Sequence, residues 1–253
     1  MSDVHHQSGA RPRVGARFAE GLVSPWHGLG WLLSTPSAWG VALVPMVVFT
    51  VLVSLGTWGG VALVEHLLGP RLAHAEGWGL LLHVVRVLGW LAALTVAVLT
   101  ALTLAQPLSG PALESLARRQ GMAIGATPLP DTPFFEGMFR SLRVTLFGLL
   151  LTVPVVVGLT IVEIAVPVLV VVTVPLKFVA TALMLAWDLL DYPLSLRAAG
   201  VRARLDWISR HFGAALGFGV SIAIIGLVPC AGLLFLPAGV AGATRLVALA
   251  DRH

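Results

Sequence analysis

The sequence predicts an all-α integral membrane protein with two full transmembrane helices and two hemi-penetrating helical hairpins broken by Pro and Gly. Three observations predict it. Hydrophobic residues make up 57% of the 253 residues and charged residues only 11%, against roughly 25% charged in an ordinary soluble domain. Mean hydropathy is +0.93. The charges are also bunched between long charge-free runs, several of which reach the about 20 apolar residues that cross a hydrocarbon core of about 30 Å.

Residues 1–20 read as a polar N-terminal tail carrying Arg11, Arg13 and Arg17, with no persuasive cleavage site of a removed leader. From 21 to 64 there is no Asp, Glu, Lys or Arg. Pro36 divides this run into a short interfacial piece and a first full span at about 39–64. Ser34, Thr35 and Ser37 around it have the character of a helix stop followed by a cap. The second span, about 87–113, runs into Gln106, Pro107, Leu108, Ser109, Gly110 and Pro111, a helix-breaking sequence. Glu114, Arg118 and Arg119 then resume a polar helix, and Pro128, Pro130 and Pro133 make an irregular loop.

A first hairpin at about 144–187 is cut by Pro154, Pro167 and Pro175. Its two helices are expected to meet near 163–167, each shorter than a span. A polar stretch follows at 188–211, then a second hairpin at about 212–249 and a short C-terminal tail at 250–253. The charge-free run 212–244, broken by Pro229, Gly232, Pro237 and Gly239, is too long for one span and short for two with a turn. It therefore reads as re-entrant, its small residues favouring close helix contact. Were Arg210 and Arg245 to snorkel, it would reach two tilted spans. Residues 21–249 thus form one helical membrane domain.

Composition also narrows the function classes. No basic stripe is interleaved with aromatics, so nucleic acid is not expected as a partner. Cys230 is the sole cysteine, which excludes an internal disulfide or a thiolate metal cluster. His5 and His6 are too few for a metal site. There is no zinc-binding His and Glu pair at helical spacing, no GxSxG elbow and no phosphate loop, so neither an enzyme nor a cofactor is expected. Arginines number three, two, four, four and two in successive connecting segments. Two crossings followed by hairpins returning to one side would place the richer segments in the cytoplasm. Trp26, Trp31 and Trp39 flank the first span and Trp78 and Trp90 the start of the second, in the manner of an interfacial belt.

Ionisable groups in apolar segments are the functional candidates, because a charge near the bilayer centre costs from about 2.5 kcal/mol upward. Glu163 and Lys177 are the two here. A hairpin folding between them would oppose them as an ion pair. Asp188 and Asp191 share a helical face at the end of an apolar helix, where an acid is unfavourable against the helix dipole. Each therefore calls for a partner among Arg197, Arg202 and Arg204. Helix starts within the membrane, at 28–37, after Pro107 and at 229–239, would offer unpaired amides to an anion.

Several motifs together resemble one family. They are the break from Gln106 to Pro111 with Glu114; Gly125, Ala126, Thr127 and Pro128; Asp191, Tyr192 and Pro193; Gly217, Phe218 and Gly219; and the run from Leu236, Pro237 and Ala238 to Ala243 and Thr244. The chain resembles the CysZ-type sulfate permeases of bacterial cysteine biosynthesis and the related etoposide-induced membrane proteins of the eukaryotic endoplasmic reticulum. That resemblance implies two full membrane helices, two hemi-penetrating hairpins, assembly into homo-oligomers and uptake of sulfate across the bacterial inner membrane. It places the anion at the loop before the first span, here Gly28, Leu29 and Gly30, with help from basic residues just after the following proline; this chain offers there backbone amides and the hydroxyls of Ser34, Thr35 and Ser37. The arginine pair of such a permease, counted from Pro36, falls here on Trp39 and Gly40, and its later asparagine on Phe49. Two readings follow: a passive permease for sulfate or another small anion, such as sulfite, and a non-transporting membrane scaffold or biogenesis protein of the same fold.

Overall fold

The computed structural model describes residues 14–73, 79–125, 134–197, 199–228 and 231–250. Part of the polar tail with Arg11 and Arg13, Trp78, the loop prolines Pro128, Pro130 and Pro133, Pro229 with Cys230, and the last three residues lie outside the described residues. Regular structure among the described residues is helical throughout. In chain order the helices are α1 (Val14–Ser34), α2 (Trp39–Ala42), α3 (Val44–Ala73), α4 (Gly79–Leu108), α5 (Gly110–Ala123), α6 (Phe134–Ala165), α7 (Val170–Leu196), α8 (Val201–Arg210), α9 (Phe212–Gly226) and α10 (Ala231–Ala250). Short 3-10 turns at Pro36–Ala38 and Pro167–Leu169 precede α2 and α7. Two compact units form, one of residues 37–116 and 131–142, the other of residues 1–36, 117–130 and 143–253.

The first unit is built on α3 and α4. Small residues at every fourth position bring the two together: a Cβ added at Gly56 would lie 2.9 Å from the Ala97 methyl, and one at Gly60 2.6 Å from that of Ala93. Gly89 continues the register against Val64, at 3.1 Å. Such small-residue seams let membrane helices approach closely, which replaces the hydrophobic drive that lipid cannot supply. One turn further, Glu65 accepts hydrogen bonds from Arg86 Nε at 2.7 Å and Trp90 Nε1 at 3.0 Å. The Arg86 guanidinium also sits 4.8 Å from the Trp90 ring centroid. This partnering carries the helices past the charges that bound the apolar runs. The spans expected at 39–64 and 87–113 are thus helices ending at Ala73 and beginning at Gly79, and the second stops at Leu108, at the Pro and Gly break.

In the second unit α1 packs on α9 and α10, and α7 packs on both of those. Closeness again comes from glycine. A Cβ on Gly217 would fall 2.1 Å from the Phe18 carbonyl oxygen, and one on Gly219 1.9 Å from that of Ala182. The buried Ser24 hydroxyl adds a bond across the α1–α10 seam, donating to the Gly242 carbonyl at 2.8 Å. On α10 every residue from Pro237 to Thr244 is buried. α1 begins at Val14, within the residues read as the polar tail.

Among the described residues five helices are long and apolar enough to cross a membrane. The arms of the first hairpin, Leu146–Ala165 and Pro167–Leu196, contain 20 and 30 residues, so the expectation that each falls short of a span is corrected. Pro154 and Pro175 remain inside their helices instead of ending them, as neighbouring groups in membrane proteins allow. In the second hairpin α9 has only 15 residues, about 22 Å of helix, while α10 has 20 and full length. Between α8 and α9 the chain turns through 94°. Outward faces are apolar: Trp58, Leu150, Ile164 and Val171 are 75%, 72%, 76% and 75% exposed. Surface of that kind is an aggregation liability in water and the ordinary lining of a protein in lipid.

Candidate functional site

The anion stretch inferred from the sequence is helical where a loop was expected. Gly28, Leu29 and Gly30 lie inside α1, so their amides belong to a helical ladder and not to a helix start. Gly28 is buried at the α1–α10 crossing, where a Cβ would lie 2.0 Å from the Ala238 carbonyl oxygen and 2.4 Å from the Gly242 nitrogen. Leu29 is half-buried, and Gly30 is exposed, with nothing within 4 Å of where a Cβ would sit. The Ser34 hydroxyl turns back to donate to the Trp31 carbonyl at 2.8 Å. Thr35 is half-buried and its N–H donates to the Leu32 carbonyl at 3.2 Å. Ser37 is exposed in the 3-10 turn. The cap of α2 is Ala38, with no side-chain hydrogen bond; a serine or threonine cap is therefore not what starts that helix. Trp39 and Gly40 are both exposed.

The break after Pro107 does produce a new helix start, at α5. Ser109 precedes it with its carbonyl accepting from the Leu113 N–H at 3.0 Å. Its hydroxyl is buried without a hydrogen-bond partner. The third expected start, around 229–239, begins outside the described residues, and Pro237 and Gly239 lie within α10.

At the end of α7 the structure selects one arginine for one aspartate. Asp191 and Arg204 form a buried ion pair, with side chains 8% and 3% exposed. Ser195, one turn beyond Asp191, donates to Asp191 Oδ1 at 3.0 Å and accepts from Arg204 Nη2 at 2.9 Å. Arg204 Nε donates to the Ala199 carbonyl at 2.9 Å. Asp191 and Arg204 stand out in the sequence, though without a choice among three arginines. Ser195 does not stand out, and its i+4 spacing from Asp191 was the available signal. Asp188 is half-buried, and its Oδ1 has no hydrogen-bond partner.

Glu163 and Lys177 are brought together across the first hairpin as an ion pair, 26% and 22% exposed. The hydroxyl of the buried Thr173 donates to Glu163 Oε2 at 3.4 Å. Opposed charges satisfy each other here amid valines, so the pair is worth more intact than either charge alone. Lys177→Met is expected to lower the unfolding free energy by about 2–3 kcal/mol by leaving Glu163 uncompensated in apolar surroundings. Adding Glu163→Leu is expected to return most of it. Unfolding titrations in mixed micelles check this; a double variant no more stable than the single one would show that the two side chains act independently.

Among the described residues no group of three or more His, Cys, Asp or Glu is placed to hold a metal ion. Comparison with individual curated proteins yields no significant match. At the family level residues 24–237 do match, and the chain belongs to the family described as Sulfate transporter CysZ/Etoposide-induced protein 2.4.

Proposed function

We propose that the protein is a permease that carries sulfate, or sulfite, passively across a bacterial inner membrane for sulfur assimilation, working as a homo-oligomer. The observation that carries this reading is the family match over 24–237 on a chain whose helices are long and apolar enough to cross a bilayer. In this stretch the anion would meet hydroxyls, those of Ser34, Thr35 and Ser37, and no side-chain cation, because no Lys or Arg occurs between 21 and 64. That same lack favours a second reading, a non-transporting scaffold, since guanidinium groups are the strongest donors to an oxyanion.

Uptake of radiolabelled sulfate and sulfite into liposomes containing the purified protein decides between them. Flux several-fold above empty liposomes is expected, and none from correctly folded protein would overturn the permease reading. Gly30→Trp then tests the pathway. Gly30 has open space around it, so the fold is expected to survive while flux falls; unchanged flux would remove this stretch from the route.

A further inference from the structure

Between α6, α7, α8 and the start of α9 lies a half-open cleft of about 160 Å³. Its walls are apolar, with Phe147, Gly148, Leu151, Trp187, Leu205 and Phe212 among them. Phe147 and Trp187, with ring centroids 5.8 Å apart, hold α6 off α7 at this depth. Gly148 forms part of the floor, where a Cβ would press on the Trp187 ring at 3.1 Å. The volume matches that of apolar cavities of about 150 Å³ that take a benzene-sized guest. Left empty, its lining would lose dispersion contacts outright. Surrounded by lipid, an apolar cleft of this size accepts a stretch of hydrocarbon chain.

The charges around the cleft say which lipid. Arg143 stands one helical turn before Phe147 on α6, and Arg202 three residues before Leu205 on α8, and both are exposed. Among the described residues nearby, Asp206 pairs with Arg210 and Asp191 with Arg204, while the half-buried Asp188, beside Trp187, has no hydrogen-bond partner at its buried Oδ1. His211 directs Nδ1 at the Trp207 carbonyl, 3.0 Å away. The exposed charges that flank the cleft, Arg143 and Arg202, are therefore cationic. We infer that the cleft is a binding site for one acyl chain of an anionic phospholipid, whose phosphate is held by Arg143 and Arg202.

The full-length protein, reconstituted in phosphatidylcholine vesicles containing phosphatidylglycerol and re-extracted in mild detergent, is put to the test by native mass spectrometry. One phosphatidylglycerol per chain is expected to remain, on the order of tenfold or more in preference to phosphatidylcholine, as two interfacial arginines would give. Leu151→Trp, which fills the cleft from its exposed side, is expected to abolish retention, and Leu205→Trp gives a second filling variant should the first fail to fold. The pair Arg143→Gln and Arg202→Gln is expected to keep a lipid but lose the preference. Absence of retained lipid, equal retention of both lipids by the unaltered protein, or retention unaffected by filling would each overturn the site. So would a filling variant that sheds a protein subunit in place of a lipid, which would assign the cleft to a second copy of the chain.

Discussion

Arg204→Met is expected to destabilise the protein by about 3–5 kcal/mol, the cost of breaking a buried ion pair by removing one partner. The loss is large because the guanidinium is 3% exposed and its acceptors include Asp191, Ser195 and the Ala199 carbonyl. Without it the Asp191 carboxylate keeps, among the described residues, the Ser195 hydroxyl at 3.0 Å. The network also joins α8 to the end of α7, just before the 94° turn into α9, so its failure is felt in the packing of α9 on α7. Arg204→Lys is expected to fall between, since an ammonium cannot reach carboxylate, hydroxyl and carbonyl with the geometry of a planar fork. Replacing both members, Arg204→Met with Asp191→Leu, is expected to recover most of the stability, because no unpaired charge remains. Equilibrium unfolding of the three variants measures this, and a single Arg204→Met variant within about 1 kcal/mol of the parent, the ordinary range for point changes, would show that the pair is not structural.

Charge-free runs located the helices well, because in lipid a charge is costly enough to mark a boundary. They failed where a charge finds a partner. Glu65, bonded by Arg86 and Trp90, lets α3 continue beyond 64, and no single-residue signal announces such a partnership across two helices. Proline misled in the first hairpin for a related reason: Pro154 and Pro175 lie within helices, whereas Pro107 and Pro111, with Gly110 between them, do end one and begin another. The pairing of Glu163 with Lys177 was legible from the turn between them. The choice of Arg204 over Arg197 and Arg202 was not, since all three lie within two turns of one another and only the path of the chain between α7 and α8 distinguishes them. The lipid cleft was invisible for the same reason, its walls coming from four helices. Gly28 was legible as important but not as to why, because a glycine beside an anion and a glycine at a helix crossing look alike in sequence.

That last ambiguity gives the other large effect, expected from Gly28→Ala. An added Cβ would sit 2.0 Å from the Ala238 carbonyl oxygen and 2.4 Å from the Gly242 nitrogen, where a carbon and an oxygen ordinarily approach to about 3.3–3.6 Å. The obstruction is backbone, not a flexible side chain, so α1 and α10 have to separate by more than an ångström. Separation strains the Ser24 bond to Gly242 and opens the seam that buries Pro237 to Thr244. The expected loss is several kcal/mol, comparable with a total stability of about 5–15 kcal/mol, and Gly242→Ala, whose Cβ would meet the Ser24 carbonyl oxygen at 2.5 Å, is expected to do the same from the other side. Gly30→Ala, two residues along the same helix with nothing within 4 Å, is expected to be neutral or to stabilise by up to about 1 kcal/mol through the better helix propensity of alanine. Thermal unfolding in detergent separates the three, and equal melting of Gly28→Ala and Gly30→Ala would refute the crossing. If the difference is found, loss of anion flux in a Gly28 variant reports a broken helix contact and says nothing about the pathway, whereas loss of flux in a folded Gly30 variant reports the pathway itself.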